Sequence, residues 1–346
     1  MSHTRATINE EERRGFQFPL LSFYHFCFPQ NLLKRKEPPA ISSKNRLIHL
    51  HHNPILTWKR LNILYCRDKS LSDVYNYSIS QLETLLQLTS VQAASLHCYL
   101  SDTSPEQIIH AHKSHGIKII TVFCSPYPIR LSQMYDPPWV LYMKGDPGLM
   151  HSERALAVVG TRTPTSYGRQ AVSSLLPPMI AHDVTIVSGL AKGTDALAHQ
   201  TALKFGGSTI AVLGSGIQHI YPADNKRLAE EIAASHLLLS EFPPGTPPRK
   251  WQFPLRNRII SALADVVFLT EAAERSGSLI TAYQALDQGR DVKVLPGSIF
   301  SKFSKGTNTL LREGASPVTE PNHLWYEGWP QRGLKDSRIV QNKYQN

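Results

Sequence analysis

The most constraining feature of this chain is a train of short apolar runs between residues 155 and 295, each followed by a segment with helical spacing. The runs are Ala155 to Val159, Val184 to Val187, Thr209 to Leu213, Leu237 to Leu239, Asp265 to Leu269 and Val292 to Leu295. Between them lie Ser166 to Ala181, Thr194 to Phe205, Asp224 to Ala234, Arg258 to Ala264 and Leu279 to Gln288, all able to form helices. Strands that are apolar on both faces must be covered on both faces, and parallel strands need a helix-length crossover between them. The pattern predicts a doubly wound, mostly parallel α/β sheet. Such sheets hold ligands beyond the carboxyl ends of their strands, so function belongs in the loops that follow the runs. Pro177 and Pro178 fall inside the first helical segment and are expected to bend or split it.

Residues 45 to 115 have a different texture. Leu61, Leu64 and Tyr65, then Leu82, Leu85 and Leu86, then Ile108 and Ile109 describe short helices separated by Ser/Asp turns, hence a small helical domain. A strand over Ile117 to Val122 and a proline-rich connection lead from it to Trp139 to Met143 and into the α/β region, which is read as running from 116 to 318. Residues 1 to 44 mix charge and aromatics without either period and read as a disordered extension, and 319 to 346 read as a tail. No stretch approaches the roughly 18 apolar residues of a spanning helix, and no apolar leader opens the chain, so no membrane association is expected. Cys27, Cys66, Cys98 and Cys124 are scattered without paired spacing, which excludes a zinc ribbon and predicts free thiols in a reducing cytoplasm.

The formal charge of +10 suggests a nucleic-acid partner, but its distribution matters more than its size. Residues 1 to 60 carry ten Lys/Arg against four Asp/Glu, and residues 331 to 346 carry four against one. Residues 151 to 330 carry seventeen against fifteen, so the α/β region is nearly neutral and any nucleic-acid reading has to rest on local clusters.

Four of the loops after the runs have suitable chemistry. They contain Gly160-Thr161-Arg162, then Ser188-Gly189 with Lys192-Gly193, then Gly214-Ser215-Gly216, then Ser276-Gly277-Ser278. Glycines allow close backbone approach to a ligand, and the N–H groups of a following helix can meet an anion. Each loop alone is equally a tight turn, and neither the full dinucleotide fingerprint nor a Walker A loop is present. The segment from Pro247 to Arg258 is richer: Arg249, Lys250, Arg256 and Arg258 are interleaved with Trp251 and Phe253 directly before a helix. Cations with stacking faces are what a single-stranded nucleic-acid groove requires, although packed aromatics and ion-paired arginines would look the same in sequence. Asp195 and His199 share a helix face, with a helix-start carboxylate and a packed histidine as the preferred reading. His49, His51 and His52 read as a solvated cluster rather than a metal site. No catalytic, metal or cofactor site emerges.

Read in order, VVGTRTPTSYG (158–168), VSGLAKGTDALAH (187–199), TIAVLGSGIQHIYPADN (209–225), SEFPPGTPP (240–248), FPLRNRIISALAD (253–265), SGSLITAYQALDQGR (276–290) and PGSIFSKFSKGTNTLLREGA (296–315) closely resemble the DNA-processing protein A family, also called Smf. The resemblance implies an extended Rossmann fold preceded by a sterile-alpha-motif-like helical domain. It implies a non-catalytic protein that binds and protects single-stranded DNA and loads the RecA recombinase during natural transformation. By position it places DNA binding on Arg162, Lys250, Phe253, Arg256, Asn257 and Arg258. Phosphate-binding loops fall at Gly160, Thr161, Ser188, Gly189, Lys192, Gly193, Ser276, Gly277 and Ser278.

Two departures shape these expectations. Asn53-Pro54-Ile55-Leu56-Thr57 stands where family members carry a Gly-x-Gly hairpin, so the helical domain is not expected to bind DNA, and no winged-helix tail is expected. The alternative function is a nucleotide or nucleoside-phosphate hydrolase on a related Rossmann fold. The Pro-Gly-Gly-x-Gly-Thr signature of such enzymes is replaced here by Ser276-Gly277-Ser278-Leu279-Ile280-Thr281, which favours binding. A homodimer is expected because two linked grooves hold one strand better than one, with Asp291 to Phe303 as the candidate shared surface.

Overall fold

The structure is a computed structural model that describes residues 42–330. The rest of the expected extension and the last sixteen positions lie outside the described residues. Five helices open the described chain: α1 (Ser43–His52), α2 (Trp58–Arg67), α3 (Ile79–Leu86), α4 (Ser90–Asp102) and α5 (Pro105–Ser114). Their starts are written in the sequence. Ser78 with Gln81, Thr89 with Gln92 and Ser104 with Gln107 each form a reciprocal capping box that satisfies two otherwise orphaned N–H groups. Leu47, Leu50, Leu61, Leu82, Leu86 and Leu96 fill the core between these helices.

The α/β body follows as β1 (Lys118–Thr121), α6 (Ile129–Ser132), β2 (Val140–Gly145), β3 (Ala155–Val159), α7 (Ser166–Ala181), β4 (Thr185–Ser188), α8 (Thr194–Lys204) and β5 (Thr209–Leu213). It continues with α9 (Lys226–Ser235), β6 (Leu237–Ser240), α10 (Gln252–Leu263), β7 (Val266–Leu269), α11 (Gly277–Asp287), β8 (Asp291–Val294), α12 (Lys305–Arg312) and β9 (Ser316–Pro317). One nine-stranded sheet has the order β1-β2-β6-β5-β4-β3-β7-β8-β9. Strands β3 to β9 are parallel, with Val187 opposite Ile210 and Val158 opposite Phe268, whereas β2 joins β6 antiparallel and β1 joins β2 antiparallel. The predicted mostly parallel, doubly wound sheet is thus present. The pair β1–β2 extends it beneath the helical domain, where Trp58 meets Trp139 with ring centroids 5.8 Å apart. Because the central strands run one way, the loops after β3, β4, β5, β7 and β8 all emerge on a single edge.

Three features of this body differ from the sequence expectations. Helix α7 is continuous despite Pro177 and Pro178, since the carbonyls these prolines leave unpaired belong to Ser173 and Ser174, which face solvent. Helix α10 begins at Gln252, so Phe253, Arg256 and Arg258 lie in its first turns, and only Arg249, Lys250 and Trp251 of the basic-aromatic segment precede it. The packed body runs on to Pro330: Leu324 and Trp329 are buried, and the Trp329 indole donates to Asp265 at 2.7 Å. Among the described residues no helix is long and apolar enough to cross a membrane.

The histidines of α1 are not solvated. His49 is fully buried, stacked on Tyr75 and Tyr99, with its Nδ1 2.7 Å from the Tyr75 hydroxyl. His51 lies 3.2 Å from the Tyr142 hydroxyl, and His52 Nε2 is 2.9 Å from His112 Nε2, a bond that one ring must donate and the other accept. Aromatic side chains of the helical domain and of β2 thus enclose the imidazoles. Burial lowers His49 and His52 to about 4 and His51 to about 3. These rings stay neutral when folded but take up protons when unfolded, so the stability they contribute is present above about pH 6.5 and lost as pH falls toward 4. Each should steepen the loss by up to about 1.4 kcal/mol per pH unit in that window. Urea unfolding at pH 7, 6 and 5 should show this fall, and His51→Gln, which cannot titrate, should flatten it.

Candidate nucleic-acid interface

The carboxyl edge of the sheet is organised around Arg256. This side chain is 4 % exposed, and its Nη1 donates to the carbonyls of Gly189, just past β4, and Val212, in β5. Strand-end carbonyls lack ladder partners, and one guanidinium here satisfies two of them. Its Nε donates to Asn257 Oδ1 at 3.1 Å. Burial lowers the Arg256 guanidinium to about 10, with the carboxylate of Asp195 opposing and Arg162 adding to the shift, so it remains a cation at neutral pH. Asp195 is buried opposite it, accepts from the Ala191 N–H at 3.4 Å, and is raised above the usual carboxylate range by burial, with Arg256 pulling the other way.

Above this cation lies an open pocket of about 60 Å³ lined by Arg162, Lys192, Tyr221, Pro222, Phe253 and Arg256, with Gly189 and Ala191 contributing backbone. Arg162 arrives on the loop after β3 and is solvent-exposed. That loop presses against Gly193, which has φ +78° and whose absent Cβ would collide with the backbone of Thr161 and Arg162. Lys192 is exposed and paired with exposed Asp224, a pair a polyanion can compete for. Phe253 is half-buried. Its ring lies against Gly214, where a Cβ would be 2.7 Å away, and faces Tyr221 with centroids 5.6 Å apart. Tyr221 is half exposed and was not singled out in the sequence, because a lone aromatic in a loop carries no period.

The predicted residues divide into three groups. Arg162, Gly189, Lys192, Phe253 and Arg256 meet at this pocket, and exposed Lys250 stands just ahead of α10 on the same edge. Asn257 points elsewhere: its amide donates to the carbonyl of Gly277 at 3.4 Å and ties α10 to the start of α11. The Ser276–Gly277–Ser278 turn lies there, with the two serine hydroxyls 2.8 Å apart. Arg258 is not on the pocket. It is buried against Glu241, 2.6 Å away, and Asp136, 3.2 Å away. Burial alone would lower its guanidinium, but these two carboxylates hold it above its ordinary value. On a helix, residues two apart point about 200° from each other, so Arg256 and Arg258 cannot face the same groove.

Several predicted loop residues serve the scaffold. Ser188 is buried and its hydroxyl donates to the Val158 carbonyl at 2.6 Å, bridging β4 to β3. The Thr161 carbonyl accepts from the Thr194 N–H at 3.2 Å, and Gly160 sits over the Thr194 and Thr270 hydroxyls. His199 is fully buried, 2.7 Å from the Thr209 hydroxyl. The start of α7, where a dinucleotide-binding fold would present N–H groups to a pyrophosphate, is occupied from within. Buried Glu271 accepts from the Thr165 N–H at 2.9 Å and from the Thr165 hydroxyl at 2.6 Å.

Comparison with known proteins agrees with this architecture. The family model for DNA recombination-mediator protein A matches residues 118–328. The chain is 41% identical over 263 residues to the DNA processing protein DprA of Bacillus subtilis, covering 75% of this chain and 88% of that protein. It superposes on the X-ray structure of DNA processing protein A from Streptococcus pneumoniae with a TM-score of 0.69 and 34% identity, covering 81% of this chain and 96% of the other. A structure of the Helicobacter pylori protein, determined for its single-stranded DNA binding mode, is matched with a TM-score of 0.55 and 33% identity over 60% of this chain and 92% of that one. The motifs of the carboxyl edge, the fold that carries them and the extent of these matches agree, and the chain belongs to the DNA recombination-mediator protein A family.

Proposed function

We propose that this chain binds single-stranded DNA along the carboxyl edge of its sheet, protects incoming strands and loads the RecA recombinase onto them during natural transformation. It acts in the cytoplasm as a homodimer and without catalysis of its own. The observation that carries this reading is the meeting of Arg162 and Lys192 with the rings of Tyr221 and Phe253 over one buried guanidinium. Cations at a pocket rim neutralise phosphates, while exposed ring faces accept unpaired bases of any sequence. A duplex keeps its base faces stacked on one another and offers none to such a pocket. The relative from Helicobacter pylori, studied for single-stranded DNA binding, supports the same ligand class.

The absence of catalysis is supported by the engagement of the buried carboxylates at this edge, where Glu241 is paired with Arg258 and the nearer two are also held. Glu271 is engaged by Thr165, and Asp195 faces Arg256 while accepting from Ala191, so neither is poised toward solvent as a general acid or base. Dimerisation supports strand retention, since a second pocket on one strand works at an effective concentration of roughly millimolar.

Affinity for single strands should exceed that for duplex and fall with salt. Arg162→Ala and Lys250→Ala should each weaken binding evenly across sequences and reduce the salt slope by roughly 0.7, the value for one phosphate contact on a single strand. Filter binding at two salt concentrations reads this, and unchanged affinity in both variants would sink the assignment. Phe253→Leu keeps bulk but loses the π face, and should cost about 1–3 kcal/mol of binding. Arg258→Ala serves as the contrast: it strands buried Glu241 and partly exposed Asp136 and should cost about 3–5 kcal/mol of folding stability while leaving the salt slope unchanged. Incubation with nucleoside monophosphates should release no free base, and its release would restore the hydrolase alternative.

A further inference from the structure

We propose that the loop Ser298–Phe303 is a second contact for single-stranded DNA, in which the Phe300 ring stacks on a base and Lys302 and Lys305 meet neighbouring phosphates. The proposal rests on the reading of the Arg256 pocket given above. Strand β8 runs parallel to β7 and β3, so the loop that leaves it emerges on the same edge as Arg162 and Lys192. Four strand spacings separate β5 from β8, about 19 Å, which a strand of several nucleotides spans.

Phe300 is 93 % exposed, more than any other large apolar side chain among the described residues, and its neighbour Ile299 is 78 % exposed. The buried residues of this stretch, Val292, Val294 and Leu295, finish the sheet core and leave these two outside it. Their exposure does not come from a loose loop. The Ala272 N–H donates to the Phe303 carbonyl at 2.7 Å, and the Gly306 N–H donates to the Ala272 carbonyl at 2.9 Å. Asn308 binds both backbone groups of Gly297, at 3.0 and 3.3 Å, and the Tyr167 hydroxyl donates to the Pro296 carbonyl at 2.7 Å. Tyr167 lies in the first turn of α7, five residues beyond Arg162, so this last bond ties the loop to the helix that follows the pocket's arginine. A ring held in water by an ordered backbone is a surface awaiting a partner.

Charge identifies the partner. From Pro296 to Lys305 the chain carries two lysines and no carboxylate. The adjoining turn adds exposed Arg275, with exposed Glu274 as its opposing charge. An aromatic flanked by cations suits a base between phosphates better than it suits a second copy bearing the same cations.

The test compares wild type, Phe300→Ser, Phe300→Trp and Arg162→Ala with an oligothymidylate of roughly 16 nucleotides, the upper range of single-domain site sizes. Phe300→Ser should weaken binding about 5- to 150-fold, the loss of one stacked base, without altering sedimentation. The indole of the Phe300→Trp variant should be quenched by the oligonucleotide beyond the wild-type change. Wild-type affinity in Phe300→Ser, with Arg162→Ala impaired, overturns the loop contact alone. Wild-type affinity in both variants overturns the pocket reading and this proposal with it. Conversion of a dimer to a monomer by Phe300→Ser assigns the surface to a second copy and overturns the proposal, as does an unquenched indole.

Discussion

The arrangement of the carboxyl edge depends on one buried cation. Arg256 is the point at which α10, the end of β4 and β5 are joined, because a single guanidinium nitrogen donates to the carbonyls of Gly189 and Val212. Burying that charge is unfavourable on its own, and the cost is offset by two carbonyl acceptors, the side chain of Asn257 and the field of Asp195. The first turns of α10 are thereby fixed against the sheet, which brings Phe253 onto Gly214 and against Tyr221. Arg162 and Lys192 are then presented to solvent on loops whose backbone is already packed. The cation is structural and electrostatic at once, since the bonds that hold it also leave its charge beneath the pocket.

Much of this was legible in the sequence, for identifiable reasons. Unbroken apolar runs specify strands buried on both faces, and they located six of the seven parallel strands, β3 to β8, to within a residue or two, whereas two-residue β9 is too short to leave such a run. Parallelism then placed the candidate loops on one edge without further information. The roles of individual arginines were not legible in the same way. Arg256 and Arg258 are equivalent in composition, yet one turns toward the pocket and the other pairs with buried Glu241 and partly exposed Asp136. Glu241 lies seventeen residues before Arg258 and Asp136 lies on the connection preceding β2. No local pattern announces a partner at such separations. Tyr221 escaped for a related reason, as its importance comes from Phe253, which reaches it from another element.

The histidines of α1 show the same limit from the other side. Three imidazoles within four residues look solvated when only local polarity is considered. Tyr75, Tyr99 and His112 come from later helices and Tyr142 from β2, and together they convert that cluster into a buried polar seam between the helical domain and the sheet. Long-range packing overrode composition here. It also makes the contact between the two domains a protonation-sensitive one, in contrast with the carboxyl edge, whose key cation remains charged at neutral pH.

The start of α7 explains why a fold so often used for dinucleotides can be turned to a polymer. A helix N-terminus beside a glycine-bearing strand end is an anion site in its own right. In this chain Thr165 donates both its N–H and its hydroxyl to Glu271, so an internal carboxylate occupies the place a pyrophosphate would take. With that position filled, exposed cations of this edge such as Arg162 and Lys192 sit on loops rather than in a cradle and can track a backbone instead of enclosing a single phosphate. A cradle rewards one compact ligand held from all sides, whereas an open edge with spaced cations and ring faces rewards repetition of the same unit. On the proposed reading of this edge, the internal carboxylate shifts it from enclosing a nucleotide toward following a strand.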